Sequence, residues 1–150
     1  MQVQLLNEQN GRKDYAVIFN RGDEAISGLG AFAKEHKVTC AHFTAIGMFQ
    51  GATLGSYSVE KKTYEKIPVA GPLEVASMIG DIALLDTKPI IHSHAVVGFP
   101  DGTTRAGHVL EAHVGVTLEV MITVEPTVMR RRFDPETGVS VIDPSLVNKP

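Results

Sequence analysis

Residues 90–110, IIHSHAVVGFPDGTTRAGHVL, contain two apolar runs separated by the segment Phe99-Pro100-Asp101-Gly102-Thr103. Proline presets one backbone φ angle and glycine accepts a positive φ, so this segment predicts a tight turn. The simplest hairpin has a three-residue loop, residues 100–102, with Gly102 in the left-handed conformation. Phe99 then faces Thr103, and counting back along both strands places His94 opposite His108.

The predicted hairpin brings three histidines together on one face. Directly opposed residues have Cβ atoms roughly 4.5–5.5 Å apart, and His92, two residues before His94, shares its face. Three imidazoles suit a divalent metal ion, and three protein ligands with one open position are typical of a catalytic zinc site. We therefore predict a metal site at His92, His94 and His108, with zinc as the expected ion, although nickel, copper and iron also accept imidazole. The alternative is three histidines hydrogen-bonded on a partly exposed sheet face.

Length and composition predict one soluble domain. The chain has 150 residues, 43% hydrophobic and 21% charged, with a formal net charge of −3. We expect a single domain over residues 1–143 and a loose C-terminal tail over residues 144–150. The negative charge gives no electrostatic footprint for DNA or for an anionic membrane. A single cysteine, Cys40, fits a reducing compartment, and no signal-peptide pattern or long apolar run is present, so we expect a cytoplasmic protein without membrane contact.

Many short apolar runs and one helical pattern predict an α/β fold of the α+β type, with a largely antiparallel sheet. The helix is expected over residues 23–36, with Asp23 as its N-cap. Leu54–Val59, Tyr64–Val69, Leu73–Ile79 and Ile82–Leu85 are predicted as separate strands, with turns that include residues 70–72 and 80–81. Residues 134–138 predict the turn of a final hairpin.

Two further motifs have simpler explanations than binding. Cys40 and His42 share a strand face and resemble half a metal site, but no second pair completes it. The run Arg130-Arg131-Arg132 lies in a predicted strand, where side chains alternate between faces, so it does not form one basic patch. Solvated edge arginines, or partners of acidic residues at a subunit contact, are the simpler interpretation of this run.

Several motifs together resemble one family. They are Ala45-Ile46-Gly47, Ala52-Thr53-Leu54-Gly55-Ser56-Tyr57, Leu73-Glu74, Gly80-Asp81-Ile82, Pro89, His92-Ser93-His94, Asp101-Gly102, Gly107-His108 and Leu118-Glu119-Val120. This succession resembles the plants-and-prokaryotes-conserved (PPC) domain, in its stand-alone prokaryotic form, over residues 10–142. The resemblance implies a homotrimer and, in prokaryotic members, a metal held at His92, His94 and His108. The family carries a DNA-binding label, but in plant members a separate AT-hook contacts the DNA, and this chain has no Arg-Gly-Arg-Pro element.

Three functions remain open at this point. The first is a small homotrimeric metal-binding protein with a regulatory or ligand-sensing role. The second is a DNA-binding or transcription-associated regulator that binds DNA weakly or through a partner protein. The third is a metal-dependent enzyme that uses a metal-bound water, with Glu74, Glu111 and Glu119 as candidate bases. Glu111 is predicted to face away from His108, because it lies an odd number of residues along the strand. The enzyme is the least favoured, and the sequence names no small-molecule ligand.

Overall fold

The computed structural model describes residues 1–148, and strands make up most of this part of the chain. A single α-helix, α1 (Ala25–Glu35), accompanies them. The strands in chain order are β1 (Gln2–Gln9), β2 (Arg12–Asn20), β3 (Cys40–Ser58), β4 (Thr63–Leu85), β5 (Lys88–Gly98), β6 (Thr104–Val124), β7 (Arg130–Asp134) and β8 (Val139–Ile142), and a 3-10 turn follows at Pro144–Leu146. The prediction of an α+β fold with a largely antiparallel sheet and one main helix is confirmed.

All eight strands belong to one sheet. Its order is β1-β2-β6-β3-β4-β7-β8, and β5 pairs with both β4 and β6. The strands β3, β4, β5 and β6 therefore form a closed ring of hydrogen-bonded neighbours. Every pair is antiparallel except β4 with β7, which is parallel and contains two paired positions, Leu84 with Arg130 and Leu85 with Arg131. The C-terminal hairpin β7–β8 is thus attached to the sheet by a short ladder.

The helix covers one face of the sheet and completes the core. Its residues Ala25, Leu29, Phe32 and Ala33 are buried. The N-cap is Glu24 and not the predicted Asp23: the Glu24 carboxylate accepts hydrogen bonds from the backbone N–H groups of helix residues 26 and 27 and of residue 112 in β6. Glutamate is long enough to reach the helix and β6 together. No helix in residues 1–148 is long and apolar enough to cross a membrane.

Two long strands, β3 and β4, replace most of the predicted short ones, which corrects the sequence analysis. The predicted breaks are local irregularities inside continuous strands: the β3–β4 register shifts between Ala45 and Gly47 and again between Phe49 and Gly51. Bulges of this kind bend a strand without ending it. Gly80 marks no turn either, because a Cβ atom there would collide with the Phe43 ring and the His92 carbonyl. This glycine permits a close approach of neighbouring strands.

The C-terminal segment contains the predicted final hairpin, but its arginines differ from expectation. Residues 134–138 form the turn, with Gly138 at φ 81°. Arg131 is buried and pairs within the chain, so it is neither solvated nor free for a subunit contact. The loose tail over residues 144–150 stays a prediction; in the described part of this region, the Asp143 carboxylate accepts from the Ser145 N–H, and the Asn148 N–H donates to the Val128 carbonyl. Residues 149 and 150 lie outside the described residues.

Candidate metal centre

The hairpin β5–β6 has the loop and the register that the sequence predicts. The Phe99 N–H donates to the Thr103 carbonyl at 2.9 Å, and Gly102 closes the loop at φ 82°. The Asp101 carboxylate accepts hydrogen bonds from the Thr103 N–H and hydroxyl at 2.9 and 2.7 Å, which holds the turn in place. His94 is paired directly with His108. The prediction that the two histidines oppose each other is confirmed.

His92, His94 and His108 converge on one face of this hairpin. Their ring centroids are 5.2 Å apart for His92 and His94, 5.3 Å for His92 and His108, and 5.5 Å for His94 and His108. One ring nitrogen from each residue lies within 4.8 Å of the other two. In the part of the chain that the structure describes, this is the only group of three or more histidine, cysteine or acidic side chains so arranged.

The environment favours the neutral form of two of the imidazoles, His94 and His108. Burial, followed by the positive charges of His92 and His94, lowers the pKa of His108 to about 4. Burial and His92 also lower the pKa of His94. The His108 ring stacks on the Tyr64 ring, with centroids 4.5 Å apart. A neutral imidazole is the form that binds a metal ion, so at neutral pH His94 and His108 can act as ligands.

Asp81, which was not among the site residues predicted from the sequence, contacts one of the three histidines, His92. One oxygen of its carboxylate lies 3.4 Å from Nδ1 of His92, and the other accepts a short hydrogen bond from Arg131. Burial raises the pKa of Asp81, but the contacts with His92 and Arg131 outweigh burial, and the pKa is lowered overall. The carboxylate is therefore ionised and can orient the His92 ring. Histidine ligands of metal ions typically have such a partner on their second nitrogen.

The position of Asp81 was predictable from a second loop. Residues 86 and 87 form a two-residue connection in which Leu85 pairs with Lys88, and counting back places Asp81 opposite His92. Because Gly80 and Asp81 were predicted to form a turn between two strands, the pairing of Asp81 with His92 was not predicted.

The three histidines fit a zinc ion. Tetrahedral zinc with bonds of about 2.0–2.1 Å to nitrogen needs ligand atoms about 3.4 Å apart. The observed limit of 4.8 Å requires only small rotations of the rings. Nδ1 of His108 is buried and has no hydrogen-bond partner in the structure. A buried polar atom without a partner is costly, and a ligand or ion within the centre would relieve that cost.

The other candidates from the sequence do not belong to this centre. His42 is exposed near the start of β3, where it pairs with Asp81 across the sheet, but it is not part of the three-histidine group. Burial raises the pKa of the Cys40 thiol, and the pair Cys40 and His42 has no third ligand among the described residues.

Glu111 contacts His113 at 2.9 Å. The prediction that it faces away from His108 is wrong, because β6 bulges between Val109 and Glu111: Glu111 pairs with Thr53 and His108 with Gly55, two residues apart on the same face of β3. Glu74 and Glu119 are exposed, and none of the three glutamates lines the cavity at the centre.

A cavity of about 880 Å³ opens beside the three histidines. Its walls come from β5, β6, the neighbouring parts of β3 and β4, and strand β8 of the C-terminal hairpin. Tyr57 and Tyr64 contribute aromatic rings in a T-shaped contact at 5.0 Å, and the Tyr57 hydroxyl donates to the Thr137 carbonyl at 2.7 Å. The volume falls within the range of small-molecule sites, roughly 300–1,000 Å³.

Comparison with known proteins supports the family that the sequence resembles. The Plants and Prokaryotes Conserved (PCC) domain matches residues 6–126. A solved "putative DNA-binding protein" of Ralstonia eutropha is 31% identical, with a TM-score of 0.81, over 86% of this chain and 90% of that one. A metal-containing protein of Archaeoglobus fulgidus is 27% identical, with a TM-score of 0.79, over 95% of this chain and 98% of that one.

A third solved structure, a plant- and prokaryote-conserved protein of Pyrococcus horikoshii, shares the fold. It has a TM-score of 0.82 and 24% identity, over 95% of this chain and 94% of that one. No curated protein matches the sequence. Because the domain match spans most of the chain and the fold agrees over nearly its full length, the chain belongs to the Plants and Prokaryotes Conserved domain family.

Proposed function

We propose that this chain is a homotrimeric metal-binding protein that holds zinc at His92, His94 and His108 and has a regulatory or ligand-sensing role. The observation that carries the proposal is the convergence of three imidazoles beside a cavity large enough for a small molecule. The metal-containing relative from Archaeoglobus fulgidus supports the presence of an ion. The single cysteine remains the support for a cytoplasmic location.

Metal analysis of untagged protein tests this proposal. We expect up to about one zinc ion per chain, removed by acid because protons compete for the ligand nitrogens. The variants His92→Ala and His108→Ala should lose the metal while circular dichroism shows an unchanged fold, because the site lies on a preformed hairpin. His113→Ala is the matched control, since His113 is a strand histidine outside the centre that contacts Glu111, and it should keep the metal. Equal metal content in all the proteins would remove the proposal.

Trimer formation is supported by the uncovered face of the sheet. Ile46, Ile79 and Met121 lie on neighbouring strands of this face and are 59%, 56% and 48% exposed. Clustered exposed apolar side chains of this kind commonly mark an interaction surface. Light scattering at micromolar concentration should give about three times the chain mass, and a monomer mass would contradict the homotrimer.

Binding is favoured over catalysis by the state of the only carboxylate that lines the cavity. A bound zinc ion would act as a Lewis acid that polarises a coordinated oxygen. The chain would also need a free acid or base, and Asp81 is already engaged by Arg131 and His92. In the described residues, the cavity offers no second acidic side chain. We therefore favour a metal-binding protein over a metal-dependent enzyme.

DNA binding is the second candidate function, supported by the printed name of the Ralstonia eutropha relative. The net charge of −3 opposes it, and burial of Arg131 leaves the arginine run without a continuous basic face. Non-specific binding depends on neutralising phosphates with basic side chains, so we expect a Kd of about 10⁻⁴ M or weaker at physiological salt. A fluorescence-anisotropy titration with duplex DNA that gives sub-micromolar affinity would favour the regulator instead.

A further inference from the structure

The cavity beside the histidines contains almost no free charge. Among the described residues that line it, Asp81 is the one acidic side chain and Arg131 the one arginine or lysine, and they form an ion pair with each other. A divalent ion held by three neutral imidazoles therefore adds two positive charges that no cavity residue offsets. The cavity walls exclude part of the solvent around such a charge, which favours a counter-charge nearby. The occupant of the cavity is expected to be an anion.

The number of free hydrogen-bond donors limits the kind of anion. Arg131 donates through one terminal nitrogen to Asp81 and through the other to the Ser140 carbonyl at 3.0 Å. Its Nε has no partner but is inaccessible to solvent, and hence to a ligand in the cavity. The Tyr57 hydroxyl is likewise engaged by the Thr137 carbonyl. Phosphate groups are normally bound by several free donors, such as arginine forks and backbone N–H groups, whereas the other side-chain donors that line this cavity, apart from the histidines, are the neutral hydroxyls of Ser56, Tyr64 and Ser140. A singly charged carboxylate fits better.

The rest of the cavity is apolar and aromatic. Ile90 lies on the same face of β5 as His92, and Ile142 is paired with Arg131 in the C-terminal hairpin. The Tyr64 ring continues this surface beside His108. These side chains offer contact area and few hydrogen bonds, so they favour an apolar or aromatic body. Ile142 is 37% exposed without an occupant, which leaves it available for such contact.

We propose that the cavity binds a small monocarboxylate, with its carboxylate at the three-histidine centre and its apolar or aromatic body against Ile90, Tyr64 and Ile142. This inference rests on the proposed function of the centre, because the metal ion provides the charge that the carboxylate meets. It makes the chain a sensor of small organic acids. Among these acids, the apolar wall selects those with several carbon atoms beyond the carboxyl group.

Calorimetry on the zinc-loaded full chain tests the proposal, with phenylacetate as the probe. Two comparisons separate its parts: phenylacetamide keeps the ring and removes the charge, and acetate keeps the charge and removes the ring. We expect both to bind at least tenfold more weakly than phenylacetate. Metal-free protein should also lose at least tenfold in affinity for phenylacetate. Equal binding of phenylacetate and phenylacetamide, or of phenylacetate and acetate, would overturn the proposal.

Variants locate the site. Ile142→Ser should weaken phenylacetate binding by about tenfold with an unchanged zinc content. Val59→Ser is the matched control, because Val59 is exposed but lies outside the cavity, and it should bind as the unaltered chain does. If Ile142→Ser also binds normally, the assigned cavity is wrong. The zinc content is measured first. Protein that holds zinc but does not bind phenylacetate refutes this inference alone. Protein that holds no zinc refutes the proposed function itself.

Discussion

Neutralising Asp81 should have two separable effects, one on stability and one on metal affinity. In the Asp81→Asn variant, Arg131 loses its anion, and the Arg131 side chain is only 6% exposed. Removing one partner of a buried ion pair typically costs about 3–5 kcal/mol. The Asp81 side chain is 31% exposed, so water replaces part of the lost interaction, and we expect a loss of about 2–3 kcal/mol in the free energy of unfolding. Zinc affinity should fall about 10–100-fold, because His92 loses the partner that orients it.

A second substitution separates the two effects. Adding Arg131→Met removes the buried charge, so the double variant should regain most of the lost stability while its zinc affinity stays low. Arg131→Met alone should keep zinc affinity within a few-fold, since Asp81 still contacts His92. The measurements are urea unfolding of metal-free protein and zinc titration against a competing chelator. Glu65→Gln, which removes a surface ion pair with Lys61, is the control and should change stability by less than about 1 kcal/mol.

An Asp81→Asn variant that matches the unaltered chain in both stability and zinc affinity would contradict this expectation. A double variant that regains zinc affinity together with stability would also contradict it, because Asp81 would then act only through Arg131. The first outcome would mean that water solvates Arg131 without help from the carboxylate. The second would mean that the 3.4 Å contact between Asp81 and His92 does not orient the ring.

Three further predictions concern pH, the hairpin loop and assembly. Folding lowers the pKa of His108 from 6.5 to about 4, so the metal-free protein should lose stability as the pH falls through this interval. A pKa shift over this interval corresponds to about 3 kcal/mol in the free energy of unfolding, and because His108 is half-exposed we expect a loss of roughly 1–2 kcal/mol. Urea unfolding at a series of pH values should show this loss, and the His108→Phe variant should show a smaller one. Deleting Asp101 should turn His108 to the other face and abolish zinc binding, whereas Asp101→Ala keeps the loop length and should retain zinc in elemental analysis. If the proposed homotrimer forms through this face, Met121→Asp should give a monomer mass in light scattering without changing the zinc content per chain, and a trimer mass for this variant would place the interface elsewhere.

The histidine cluster could be predicted from sequence because its register depends on one short loop. Residues 100–102 contain a proline and a glycine that restrict the turn to few conformations. Because side chains alternate between faces along a strand, the turn then determines which residues share a face. The helix was predictable for a similar reason, since its apolar residues recur at helical spacing and are buried as expected. Local signals of this kind act over a few residues and do not depend on the rest of the fold.

The parts that were missed depend on contacts between distant residues. The pair Gly80-Asp81 is typical of a turn in sequence. In the structure, position 80 needs a glycine because the Phe43 ring and the His92 backbone leave no room for a side chain. Arg131 belongs to a run that suggests solvent exposure, and only its pairing with Asp81, 50 residues earlier, explains its burial. A single sequence contains no local sign of either contact. Asp81 was the exception, because the two-residue loop after Leu85 already determined its partner.

The late position of the C-terminal hairpin has a consequence for how the protein is made. A chain leaves the ribosome from its N-terminus, so His92, His94 and His108 emerge before Arg131 and Ile142. A nascent chain that has released β6 already contains every imidazole of the centre, but it lacks one wall of the cavity. On the proposed function, the order of translation would allow the ion to bind before an organic acid, because a chain that stops before residue 130 lacks the part of the cavity wall formed by Arg131 and Ile142.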